Sequence, residues 1–153
     1  MRRRASKAEL LARMQRAFRP KLKPDQLLDL GLCHVQNLDA IATGAAEPSM
    51  IWDYVGCVLT WWRVAELLGK GGPQMAVQLE VATQLVERFG RTGHVRFDGP
   101  GLQLARMGVM VMDRLAEIVD RQTAIAAANW SEIEVGRLAA AAGTYRAQEA
   151  QAA

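Results

Sequence analysis

The sequence predicts an all-α fold: a single-domain bundle of about five to six helices, mostly antiparallel neighbours, with no sheet. Three observations carry this expectation. Apolar residues recur at three- and four-residue spacing through most of the 153-residue chain, the periodicity that gives a helix one buried face. Prolines and glycines alternate as punctuation, proline fitting the first turn of a helix and glycine the left-handed residue that ends one. No segment alternates apolar and polar residues as a half-buried strand does, and the short turns between segments favour antiparallel neighbours.

The first helix opens near Ser6, where Ser6 and Glu9 stand at capping-box spacing, and Pro20 ends it. Leu10, Leu11, Met14 and Phe18 share one of its faces and leave the arginines around the other. Pro24 and Asp25 suit the positive first turn of a second helix. Leu27, Gly31, His34, Leu38 and Ile41 form its inner face, flanked by Leu28, Val35 and Ala42, and Gly44 closes it. Pro48 opens the third helix and Gly69 ends it. Ile51, Trp52, Val55, Val58, Leu59, Trp62, Ala65 and Leu68 leave that helix only a narrow polar strip, so it belongs at the centre of the bundle or under a partner.

The fourth helix is expected from Pro73 to Gly90, on a stripe of Met75, Leu79, Ala82, Leu85, Val86 and Phe89. Four glycines and a proline in residues 90–101 make the one long break, in which HVRF has the composition of a short extended piece. Asp98 can cap a fifth helix, with Pro100 in its first turn. Leu104, Met107, Val111, Leu115 and Ile118 are its expected inner face, and it runs to about Asn129. A second capping-box pair, Ser131 and Glu134, puts a break near Asn129–Trp130 and a sixth helix after it. The chain thus divides into a basic N-terminal arm (1–23), a helical bundle (24–143) and an alanine-rich polar tail (144–153) expected to fray.

Hydrophobic residues make up 50 % of the chain and charged ones 23 %, which excludes a disordered polymer. The most apolar stretch, 50–68, is interrupted by Asp53, Arg63 and Glu66, so no transmembrane segment is expected. No apolar signal-peptide core follows the basic N-terminus, so the expected location is cytoplasmic. Cys33 and Cys57 form neither a CxxC pair nor a disulfide framework and read as buried thiols. The net charge of +3 conceals a division. Arg2, Arg3, Arg4, Lys7, Arg13, Arg16, Arg19, Lys21 and Lys23 face only Glu9 in residues 1–23, giving +8, while the remainder carries −5.

Motifs for chemistry are sparse. His34 and His94 stand sixty residues apart, outside HExxH and zinc spacings, so no metal and no cofactor are expected. His34 lies on an apolar face and reads as a hydrogen-bonded core histidine. Cys33 and His34 are helical neighbours pointing about 100° apart, so they do not form a nucleophile–base pair. Asp113, Glu117 and Asp120 are interleaved with Arg114 and Arg121, as on a solvated face. GKGG at 69–72 lacks the phosphate-loop spacing and reads as a turn. Leu138–Tyr145 has an alanine–glycine spacing like that of a helix-turn-helix, but no apolar positions follow to seat a recognition helix. The loop from Arg91 to Arg96 places two guanidiniums and His94 before a helix start. A catalytic reading would need a site around Arg91, His94 and Asp98. Of the paired aromatics, Trp62 shares a side with Val55, Val58 and Ala65, which leaves Trp61 as the expected surface residue at a protein interface.

Three runs, LDLGLCHVQNLDAIATG (28–44), LVERFGRTGHVRFDGPG (85–101) and VMDRLAEIVDRQT (111–123), carry a resemblance across about two-thirds of the chain. It resembles small helical proteins of bacterial plasmids, phages and integrated elements catalogued as the Fis family of transcriptional regulators. The resemblance implies an accessory or regulatory protein of a mobile element and supplies no functional residues. True Fis proteins end in a helix-turn-helix, and this chain does not.

Together these readings give a non-enzymatic binding protein. The first expected partner is nucleic acid, met by the 2–23 arm through phosphate contacts and assisted by Arg91 and Arg96. The alternative is a protein-interaction module, a homodimer or an inhibitor of a host defence complex, using the aromatic third helix. For the arm itself, a solvated basic helix docked on the acidic remainder of its own chain ranks ahead of nucleic-acid contact. A membrane surface is the weakest reading, because the apolar face of the arm is short.

Overall fold

The computed structural model describes residues 6–17 and 19–152, and of residues 9, 10, 13, 16, 17 and 144–152 the backbone alone. Six helices are present among them: α1 (Lys7–Ala17), α2 (Pro24–Thr43), α3 (Met50–Leu68), α4 (Gly72–Thr92), α5 (Gly99–Ile118) and α6 (Arg121–Ala152). The described residues form no strand; one isolated antiparallel bridge joins Lys21 to Asp120.

The punctuation expected from sequence holds for the first boundaries. At α2, Pro24 occupies the first turn and the Gln26 side chain accepts from the Lys23 amide at 3.0 Å. Gly44, at φ 77°, caps its end, and Gly69, at φ 65°, ends α3. At α4 the stop moves. Gly90 stays inside the helix, which closes at Gly93 (φ 72°), where the amide donates to the Phe89 carbonyl at 2.8 Å. A glycine in a helix interior costs only about 1 kcal/mol, so Gly90 does not oblige the helix to stop there.

The junction of the last two helices also differs from expectation. The break lies at Val119–Asp120, not at Asn129–Trp130. Asp120 caps α6, accepting from the Thr123 amide at 3.0 Å and the Thr123 hydroxyl at 2.6 Å. Ser131, expected to be a cap, lies buried in mid-helix. Its hydroxyl donates to the Ala128 carbonyl at 2.9 Å and meets Thr60 of α3 at 2.6 Å, so a partner on another helix absorbs the polar group. From Arg121 the helix continues unbroken to Ala152.

α3 is the centre. It packs against α2, α4, α5 and α6, and α5 also packs on α2 and α4. Ile51, Val58 and Val64 of α3, Ile41 of α2 and Met75 of α4 lie wholly out of water, each contributing about 1.5–3 kcal/mol by burial. The inner face of α5 is a correction. Gly101, Ala105, Gly108, Met112, Leu115 and Ala116 are buried, while Leu104 and Ile118 are partly exposed and Met107 is 62 % exposed. Close approach explains the choice: a Cβ on Gly108 would collide with the Gln78 amide of α4. Small residues admit that neighbour, so the helix turns its larger side chains outward.

Candidate functional site

Four regions bear on function. The first is the joint between the basic arm and the bundle. After α1 the chain reaches Pro20, whose carbonyl accepts from the Arg121 amide at 2.9 Å. Lys21 donates through Nζ to the Ile118 carbonyl at the end of α5, at 2.5 Å. A cation there meets the negative end of the helix dipole. The Arg19 guanidinium stands 3.9 Å from the Asp120 carboxylate. Burial pushes the Asp120 carboxyl up, but the Thr123 hydroxyl and amide and the Arg19 charge outweigh it and hold the group below the usual carboxylate range. Part of the arm therefore docks on its own chain. Lys7 and Lys23 are exposed to solvent. Arg2, Arg3 and Arg4, and the side chains of Arg13 and Arg16, lie outside the described residues.

α1 itself packs little on the rest of the described structure. Its Leu11 is 50 % exposed and its Met14 58 %. The short apolar face expected from sequence is thus presented to solvent at these two positions.

The second region is a polar cleft of 440 Å³ where the ends of α2 and α4 meet, lined by Thr43, Gly44, Pro48, Gly93, His94 and Arg96 among others. Val95 and Phe97 turn inward and anchor the loop, Phe97 meeting Tyr54 edge-on at 5.3 Å between ring centres. Alternating inward residues fix the loop without a strand, so the extended piece is present only as irregular backbone. His94 and Arg96 remain exposed, as does Arg91. Asp98 is occupied as the α5 cap, accepting from Gly101 at 2.6 Å, with Arg88 at 3.7 Å. An imidazole and a guanidinium over a cleft can hold an anion. The loop meets α5 at its start and Lys21 meets α5 at its end, about 30 Å apart along 20 residues.

The third region was expected at the surface and is inside. Trp61 is 3 % exposed. Its indole Nε1 donates to His34 Nε2 at 2.6 Å, and His34 Nδ1 donates to Asp113 Oδ1 at 3.1 Å. Trp61 turns toward α2 and α5 because α3 is apolar nearly all round, so its own periodicity leaves the inward side undecided. Trp62 instead lies half-buried against Trp130 of α6, with ring centres 5.7 Å apart and Arg63 over the Trp130 ring at 5.4 Å. His34 is the core histidine expected from its helix face. With Nε2 accepting from Trp61, its proton sits on Nδ1, and neither nitrogen is left to act as a base. Burial lowers its pKa, against the hydrogen bond and charge of Asp113.

The cysteines are separate. Cys33 is exposed, contrary to expectation, because α2 directs it away from the face that holds His34 and Leu38. Cys57 is largely buried, its thiol donating to the Met112 sulfur at 3.8 Å, and burial pushes it up to about 12. Among the described residues no group of three or more histidine, cysteine or carboxylate side chains could hold a metal ion, and no helix is long and apolar enough to cross a membrane.

The region that sequence reading missed is an apolar groove of 210 Å³ on α3, walled by α4 and α6. Trp52, Val55 and Leu59 form its floor, Leu79 and Val86 one wall and Leu138 the other. Leu79 and Val86 carried a signal in the α4 stripe, where they sit at the edge nearer α3. Comparison with known protein families, characterised proteins and solved structures finds no match.

Proposed function

We propose that the protein is a non-enzymatic helical accessory or regulatory protein of a bacterial mobile element, and that it binds nucleic acid through its basic N-terminal arm. The observation that carries this reading is the separation of charge: +8 in residues 1–23 against −5 in the rest. Arg2, Arg3, Arg4, Lys7, Arg13, Arg16 and Lys23 contact phosphates, while Arg19 and Lys21 hold the arm to the bundle. In this reading the helices run as antiparallel neighbours, the protein works in the cytoplasm, and binding needs no cofactor. Neutralised phosphates release counterions, so affinity falls steeply with salt. The test measures binding to a duplex of mixed sequence at low and moderate salt, for the native chain and for Arg2→Ser, Arg3→Ser, Arg4→Ser combined. The triple variant should bind more weakly and reduce the salt slope by about 3. Affinity unchanged by salt and by the substitutions would sink the reading.

A second reading is a protein-interaction module, a homodimer or an inhibitor of a host defence complex. The apolar groove on the aromatic third helix favours it, since a groove of this kind commonly receives an amphipathic helix. Trp61 has no direct part in such an interface, because it is enclosed in the core.

A further inference from the structure

In the single chain the groove on α3 and the exposed face of α1 do not meet: Leu11 and Met14 stand half-exposed, and neither lines the groove. The arm is held at the start of α6, where the Arg121 amide donates to the Pro20 carbonyl, and Leu138 stands about 26 Å further along that helix at 1.5 Å per residue.

We propose that the groove receives α1 of a second copy of this chain, and that two copies exchange their first helices to form a symmetric dimer. Leu11 and Met14, both half-exposed in the single chain, would lie against Leu59, Leu79, Val86 and Leu138. Charge supports the pairing. Glu87 lines the groove and Glu80 stands exposed two turns before it on the same wall. The entering segment is the +8 part of the chain. An exchange of identical segments satisfies two grooves at once, which closes the assembly at two copies. This inference rests on the protein-interaction reading above and commits it to one partner.

Three variants test it, with sedimentation equilibrium across about 1–100 μM, a range that brackets micromolar association. Leu11→Glu with Met14→Glu damages the donated helix. Leu138→Glu damages the groove at a residue already 45 % exposed, and its circular dichroism melt should match the native chain. Each variant alone should associate at least about a hundredfold more weakly, since apolar side chains give way to charges beside Glu80 and Glu87. Mixed together, the two variants should recover a heterodimer, because one intact α1 then faces one intact groove. A native dimer that both variants retain, or a mixture that recovers nothing, overturns the exchange and leaves a homodimer by another surface. A native chain monomeric across the whole range overturns both the exchange and self-association.

Discussion

His34 is held neutral because both ring nitrogens are committed, one as donor to Asp113 and one as acceptor from Trp61. A second proton on Nε2 would face the indole N–H and break that bond. The folded pKa lies below the ordinary 6.5, so below pH 6.5 the unfolded chain takes up a proton that the folded chain refuses. Stability therefore falls as pH drops through 6.5 and levels off below the folded value. Urea midpoints at pH 7.5 and 5.0 should show the loss, and His34→Gln should flatten it; an unchanged slope in that variant would assign the effect elsewhere. Trp61→Ala should cost about 3–5 kcal/mol, as large aromatic deletions in cores do, and leave His34 without its donor. A midpoint within error of the native chain would contradict the enclosure of Trp61. The thiols give a third readout: Cys33 should react with a disulfide reagent in the native state, and Cys57 only on unfolding, since a thiol pushed up to about 12 carries almost no thiolate.

Boundaries that a residue enforces by its own geometry were legible in the sequence. Gly44 and Gly69 take left-handed φ where α2 and α3 end, and Pro24 lies in the first turn of α2. The α5–α6 boundary was misplaced although its cap is local, Asp120 accepting from Thr123 three residues on. Ser131 and Glu134 had the local spacing of a cap, yet tertiary burial against Thr60 kept the helix intact. Asp120→Ala should then cost about 1–2 kcal/mol through the lost cap. It should also loosen the arm, which a limited-proteolysis time course at residues 18–23 can register; Ser131→Ala should leave that cleavage unchanged. The exposed face of α5 shows the complementary failure. Side-chain size pointed to Leu104 and Met107, whereas the fit of α4 against Gly108 selected the small residues.

Across the whole molecule, folding and recognition are divided between parts. Among the described residues, the core cluster draws no side chain from α1. Removing residues 1–17 should change the unfolding free energy by no more than about 0.5 kcal/mol, the usual range for surface changes, measured where the chain is monomeric. Removing residues 1–23 should cost more, because Pro20 and Lys21 leave Arg121 and Ile118 without their partners. Equal midpoints for the two truncations would show that the joint contributes nothing. The all-α class and central third helix were readable because periodicity alone fixes them. The groove was not, since its walls come from helices far apart in sequence.

The bond from Arg121 to Pro20 also sets an order of events during synthesis. The arm leaves the ribosome before the bundle, and its dock is made about a hundred residues later, so at roughly 5–20 residues per second it stays undocked for about 5–20 s. During that interval the most basic part of the chain is the part already outside, next to a particle built largely of RNA. Arg19 and Lys21, later occupied by Asp120 and the end of α5, are free in the nascent chain. The acid at position 120 and the Ile118 carbonyl thus each withdraw one cation from general use once the fold is complete.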